Sequence, residues 1–161
     1  RWADKQWKHF LEDNAAGQEL NGMGQALKGI GEEGVDLVKD TAELEAAYDD
    51  ALGVTAAFNL NLLLHINRLL GADFSPRDWA HVARFDTELS RIEMHLQARR
   101  DLTLRWEGGE RRFRAGERIH TENSYKWRTD DFEALLRSAG FTGCRCWTDP
   151  AARFAVFWAR A

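Results

Sequence analysis

Val35-Asp36-Leu37-Val38-Lys39-Asp40 is a short apolar run that closes on charged residues, and Thr41, with Leu44 and Glu45 behind it, opens a helix directly after it. A strand end that feeds a helix is the joint of an α/β fold, so this stretch sets the fold class. Working downstream, the helix carries Leu44, Ala47, Tyr48 and Ala51. After Gly53, the residues Phe58, Leu62, Leu63, Ile66, Leu69 and Leu70 mark the buried stripe of a longer amphipathic helix that stops at Gly71. From Trp79 the period changes to alternation. His81 to Phe85, Arg91 to Ala98, Leu102 to Trp106 and Arg111 to Phe113 read as antiparallel strands of a meander, with Glu107-Gly108-Gly109-Glu110 as a hairpin turn. Thr129 caps a helix through Phe132, Leu135 and Leu136 that ends at Gly140, and Phe141 to Thr148 and Phe154 to Trp158 are two closing strands. The expected architecture is the end of an α/β sheet with an inserted antiparallel layer. Upstream, Leu20, Met23, Leu27 and Ile30 recur near the helical period between breaks at Gly17 and Gly29 to Gly34, so residues 1–34 are expected to be helical.

Composition narrows the function classes. A chain of 161 residues with 44% hydrophobic and 30% charged residues can bury one core under a soluble surface. Its longest apolar stretch, Ala56 to Leu70, is interrupted by Asn59, Asn61, His65, Asn67 and Arg68, short of the ~20 apolar residues that span a bilayer. The opening Arg1 to Asn14 is charged and Trp-rich rather than a secretory leader, and Cys144 and Cys146 are expected as free thiols in a reducing cytoplasm. A net charge of −4 gives no general attraction to phosphate, so no nucleic-acid partner is expected.

Three strings carry more specific information. Tyr48-Asp49-Asp50, followed by Gly53-Val54-Thr55-Ala56-Ala57-Phe58-Asn59, places polar groups where one helix turns into the next, which a generic linker does not need. Arg91-Ile92-Glu93-Met94-His95-Leu96 sets Ile92, Met94 and Leu96 on one strand face, expected to be the buried one, with Glu93 and His95 on the other. Ile119-His120-Thr121-Glu122-Asn123-Ser124-Tyr125-Lys126, if extended, puts His120, Glu122 and Ser124 on a single face, a carboxylate and a hydroxyl in the same space.

These strings, with Val35 to Asp40 before them and Trp147-Thr148-Asp149 after them, resemble the histidine-specific methyltransferases of ergothioneine biosynthesis, from about Val35 to the C-terminus. The resemblance implies the C-terminal part of a Rossmann-like sheet. It also implies S-adenosylmethionine (SAM) as methyl donor, and L-histidine converted to its trimethylammonium betaine, hercynine, without a metal. By the same resemblance Tyr48 hydrogen-bonds the substrate carboxylate, Phe58 and Met94 line the pocket, and Glu122 and Ser124 hold the imidazole. A neutral imidazole has one donor and one acceptor nitrogen, which suits a carboxylate beside a hydroxyl that donates.

Residues 1–34 fall outside the resemblance. The glycine-rich Asn21-Gly22-Met23-Gly24 and Gly29-Ile30-Gly31 follow no strand signal and are read as turns rather than cofactor loops. Two function classes follow: an enzyme or enzyme part supplying the histidine side, or a truncated, non-catalytic module that at most binds an imidazole ligand. A sheet lacking its other half is expected to self-associate through the uncovered surface.

Overall fold

The structure, a computed structural model, describes residues 31–160. The expected helix over 1–34 lies outside the described residues except at its last four positions, where a strand has already begun. That strand, β1 (Gly31–Asp36), leads into α1 (Thr41–Tyr48) and α2 (Val54–Leu70), a 3-10 turn (Pro76–Asp78), β2 (Trp79–Asp86), β3 (Arg91–Ala98), β4 (Leu102–Trp106), β5 (Gly109–Phe113), β6 (Arg118–Tyr125), α3 (Thr129–Ser138), β7 (Thr142–Thr148) and β8 (Phe154–Arg160). The result is a mixed α/β fold with three sheets, ordered β1-β8-β7, β2-β3-β6 and β4-β5, and every strand pairing in them is antiparallel.

The first sheet takes its core from α3. Phe132 and Leu136 of the helix are buried with Val35, Leu37, Phe141, Ala155, Phe157 and Ala159. The Phe132 and Phe157 rings sit 4.8 Å apart. On the open face of this sheet Gly34 lies under the exposed Phe154 ring: a Cβ there would meet Phe154 Cζ at 2.5 Å, so a side chain at 34 would have to push that ring aside. Thr129 is the first helical residue of α3 rather than its cap. The cap is Arg128, which makes no side-chain cap bond.

The second sheet is covered on one face by α1 and α2. Leu44 of α1 packs on Ile92 and Met94, while Leu63 and Ile66 of α2 join Trp79, Leu96, Ala98 and Ile119. The β4-β5 hairpin closes this core with Leu104 and Phe113, the Phe113 ring meeting Trp79 edge-on at 5.0 Å. The expected continuous meander is therefore corrected: β6 pairs with β3, and β4-β5 stands apart as its own hairpin. The expected stripe of α2 is corrected too. Asn59, Leu63 and Ile66 are its buried residues, whereas Phe58, Leu69 and Leu70 are exposed. The i, i+4, i+7 row that reaches the sheet is narrower than the apolar content of the helix.

Two polar devices fix these helices. Asp40 caps α1 by accepting from the Ala42 and Glu43 amides. Asp50 accepts from the Val54 and Thr55 amides at 3.0 and 2.8 Å, and those bonds pull its carboxyl down to about 2. The α2 helix ends at Gly71 in the left-handed conformation, φ 62°, as the sequence indicated. No helix among the described residues is long and apolar enough to cross a membrane.

Candidate functional site

The two larger sheets meet where the chain leaves β6. Leu37 and Trp127 form a parallel bridge, the Trp127 amide donates to the Asp36 carbonyl at 3.0 Å, and the Val38 amide donates to the Trp127 carbonyl at 3.1 Å. This junction sets the end of β1 beside the end of β6, and Tyr48, at the C-terminal turn of α1, lies against the end of β6.

Three of the five expected site residues share one face there with a fourth beside them. In the β3-β6 ladder Ile92 faces Ser124 and Met94 faces Glu122, so Met94, Glu122 and Ser124 lie on the face covered by α1. Tyr48, at the end of α1, brings its Oη to 2.7 Å from Ser124 Oγ. Met94 is buried with Ile92 and Leu44, and Tyr48 packs on that cluster. Phe58 is not brought to this group; it is 68% exposed on α2, and the expectation that it is a core residue is corrected.

The alternation of β6 also breaks. The register shifts between Met94 and His95, so that Met94 faces Glu122 while His95 faces His120, and Thr121 is the extra residue of a bulge. Thr121 Oγ1 donates to the Met94 carbonyl at 2.9 Å. The expectation that His120, Glu122 and Ser124 share one face is therefore corrected, because the bulge sends His120 to the opposite side. There its ring stacks on His95 with centroids 4.7 Å apart. Glu93 completes that opposite face, buried to 7% exposure although the sequence reading put it on the open side. Glu93, His95 and His120 bring potential metal-ligand atoms within 4.8 Å of one another. However, Glu93 already accepts from Arg91 at 2.7 Å and Arg84 at 3.2 Å, which surrounds the cluster with positive charge and opposes a bound cation.

Lys126 is the residue sequence reasoning missed. Its side chain is 0% exposed and reaches Asp36 Oδ2 at 2.9 Å, Tyr48 Oη at 2.9 Å and Ser124 Oγ at 2.8 Å. Lys39 pairs with the other Asp36 oxygen at 2.6 Å. Burial alone would push the Asp36 carboxyl up, but the bonds from Lys39 and Lys126 outweigh it and hold it below its ordinary value. The signal that could have found Lys126 was present: it continues the Glu122, Ser124 alternation by two more residues.

Glu122 behaves differently. Burial raises its carboxyl above the ordinary value, and the nearby Lys126 charge offsets this in part. Its side chain makes no hydrogen bond or ion pair among the described residues. A half-buried carboxyl without a partner, next to a serine held by a lysine and a tyrosine, is equipped to accept from a ligand N–H.

Asn59 and His81 anchor this face. Asn59 Nδ2 lies 2.9 Å from His81 Nδ1 and donates to the His95 carbonyl at 3.2 Å, while His81 Nε2 is 2.7 Å from the Tyr48 carbonyl. A carbonyl accepts, so His81 carries its proton on Nε2 and accepts from Asn59 through Nδ1. This locks the backbone of Tyr48 to β2. Both residues are structural, and Asn59 accounts for the polar end of the Gly53 to Asn59 string.

The described residues do not form a cradle for SAM. Such a cradle uses a glycine turn between a strand and a helix N-terminus, but the β1 to α1 connection, Leu37 to Asp40, has no glycine, and Asp40 already occupies the first amides of α1.

A family described as histidine-specific methyltransferase, SAM-dependent, matches residues 11–161 of the chain, starting upstream of the Val35 boundary read from the sequence. A histidine N-alpha-methyltransferase of Mycolicibacterium smegmatis is 46% identical over 125 residues, covering 76% of this chain and 39% of that protein. One from Mycobacterium tuberculosis is 46% identical over 132 residues with the same coverage. Ergothioneine biosynthesis protein 1 of Neurospora crassa is 31% identical over 118 residues, 71% of this chain and 13% of that protein. The chain thus spans about two fifths of the length of the mycobacterial relatives it matches.

Proposed function

The chain belongs to the histidine-specific, SAM-dependent methyltransferases, and on that premise we propose that it is the histidine-holding side of an enzyme that methylates the α-amine of L-histidine. The observation that carries the reading is the unpartnered, half-buried Glu122 carboxyl beside Ser124. In the proposed complex Glu122 accepts from one imidazole nitrogen and Ser124 donates to the other. Side chains without that donor and acceptor leave buried polar atoms unpaired and are rejected. Met94 lies under the ring. Tyr48 stands at the edge of the site, where the family resemblance puts the substrate carboxylate. Phe58, exposed on α2, lines the pocket only if an element beyond the described residues folds over it.

SAM supplies an electrophilic sulfonium methyl group in this family. The residues described contribute position: with the ring held at two points, the neutral amine can be presented in line with an incoming methyl carbon, and alignment of this kind is worth many powers of ten in rate. Three successive transfers give hercynine, the intermediate of ergothioneine biosynthesis, and the β1-β8-β7 sheet is proposed as the edge of a Rossmann-like sheet. The work is assigned to the cytoplasm. Leu52, Val54, Phe58 and Leu69 are all more than half exposed along α2 and its approach, which supports self-association of this chain when isolated.

The test is Glu122→Ala with histidine and phenylalanine as competing ligands. Loss of histidine binding in a folded variant supports the reading. Unchanged affinity removes Glu122 from the site.

A further inference from the structure

Lys126 fills one lone pair on each hydroxyl of the site, and this limits what Ser124 can offer a ligand, an inference that rests on the histidine reading of Glu122 and Ser124. An ammonium group has three donors and no acceptor. Lys126 directs them at Asp36 Oδ2, Tyr48 Oη and Ser124 Oγ, at 2.9, 2.9 and 2.8 Å, so none remains for a ligand. Tyr48 Oη and Ser124 Oγ, 2.7 Å apart, bring two hydrogens between them. One is used in their mutual bond. A single hydroxyl hydrogen is therefore left for anything outside the cluster.

Two arrangements exist. Either Ser124 donates to Tyr48 and the phenol hydrogen is free, or Tyr48 donates to Ser124 and the serine hydrogen is free. A phenol is the stronger donor of the two, and a serine oxygen has two lone pairs. With one filled by Lys126 and the other by Tyr48, Ser124 has no acceptor capacity left and meets a ligand as a donor. Without Lys126 this restriction disappears, because the lone pair of Ser124 that the ammonium filled could then accept from a ligand.

We propose that Lys126 is a specificity-determining positioning residue: by filling one lone pair of Ser124 while Tyr48 donates to the other, it leaves Ser124 only its hydrogen to offer, so the site selects a ring with an accepting nitrogen. The species selected is a neutral imidazole, its N–H on Glu122 and its bare nitrogen on Ser124. Asp36 balances the buried ammonium, which ties the end of β1 to ligand choice on β6.

The test uses this chain with two ligands: histidine, and β-(pyrrol-2-yl)alanine, which keeps a ring N–H but has C–H in place of the accepting nitrogen. Affinities are measured by calorimetry for the wild type, for Lys126→Met, and for Lys126→Met combined with Asp36→Asn so that no carboxylate is stranded. Circular dichroism checks folding. An unmet buried donor costs enough for the wild type to prefer histidine by about tenfold or more. The ratio is expected to fall to near unity in whichever Lys126 variant folds. A folded variant that keeps the wild-type ratio overturns the role of Lys126 and leaves the histidine reading standing. A wild-type chain that binds neither ligand overturns the histidine reading and this inference with it.

Discussion

His95 makes stability depend on pH in a way that one substitution can isolate. Its side chain is 12% exposed, its Nδ1 is buried with no hydrogen-bond partner among the described residues, and its Nε2 lies 3.6 Å from Glu93. Burial and then the neighbouring His120 push the imidazole down from 6.5 to about 4, against the opposing pull of Glu93, while Arg118 and Arg84 add to the fall. The folded chain thus holds the ring neutral where the unfolded chain takes up a proton. Stability from this source is complete above about pH 6.5 and is lost as the pH falls toward about 4. A drop of that size corresponds to roughly 3 kcal/mol for a fully enclosed ring, and residual water access reduces it to about 2 kcal/mol. His95→Gln cannot take up that proton and keeps an amide donor near Glu93. Urea unfolding of both proteins at about pH 7.5 and about pH 4.5 should show the wild type losing about 2 kcal/mol more than the variant. Parallel losses would refute the reasoning.

Other outcomes follow from particular contacts. Leu63→Ala, at a site with 0% exposure under the second sheet, should cost about 2–5 kcal/mol in denaturant unfolding. Gly34→Ala puts a methyl group where the half-exposed Phe154 ring lies, and because that ring can swing toward solvent only a small drop in melting temperature is expected, whereas Gly53→Ala meets no atom within 4 Å and is strained through its φ of 70°, so it should cost more. Glu122→Gln should stabilise the chain at neutral pH while weakening histidine binding. Its carboxyl is raised by burial, so the neutral form is favoured below the ordinary carboxylate value and that advantage is lost as pH rises. A variant both destabilised and unaltered in binding would contradict the assignment.

Residues with a local signature were legible in the sequence. Gly71 stops α2 because its left-handed backbone needs glycine, and Glu107-Gly108 turns the β4-β5 hairpin, where Trp106 pairs with Gly109. Alternation placed Glu122 and Ser124 together correctly. It does not show Thr121 as an extra residue, because a bulge leaves no mark on a period of two, and so alternation alone points His120 to the wrong face. The exposure of Phe58, Leu69 and Leu70 is not legible for a different reason: apolar spacing reveals how much of a helix could be buried, not how much the sheet covers. Lys126 does not stand out in the sequence as a site residue because a buried lysine is uncommon, and its burial depends on Asp36, ninety residues away in the chain.

The most direct test of the central claim is calorimetric titration of this chain with L-histidine, alone and with S-adenosylhomocysteine present, beside the Glu122→Ala variant. The account predicts saturable histidine binding that the variant loses. Absence of histidine binding under both conditions, or equal binding by the variant, would contradict it.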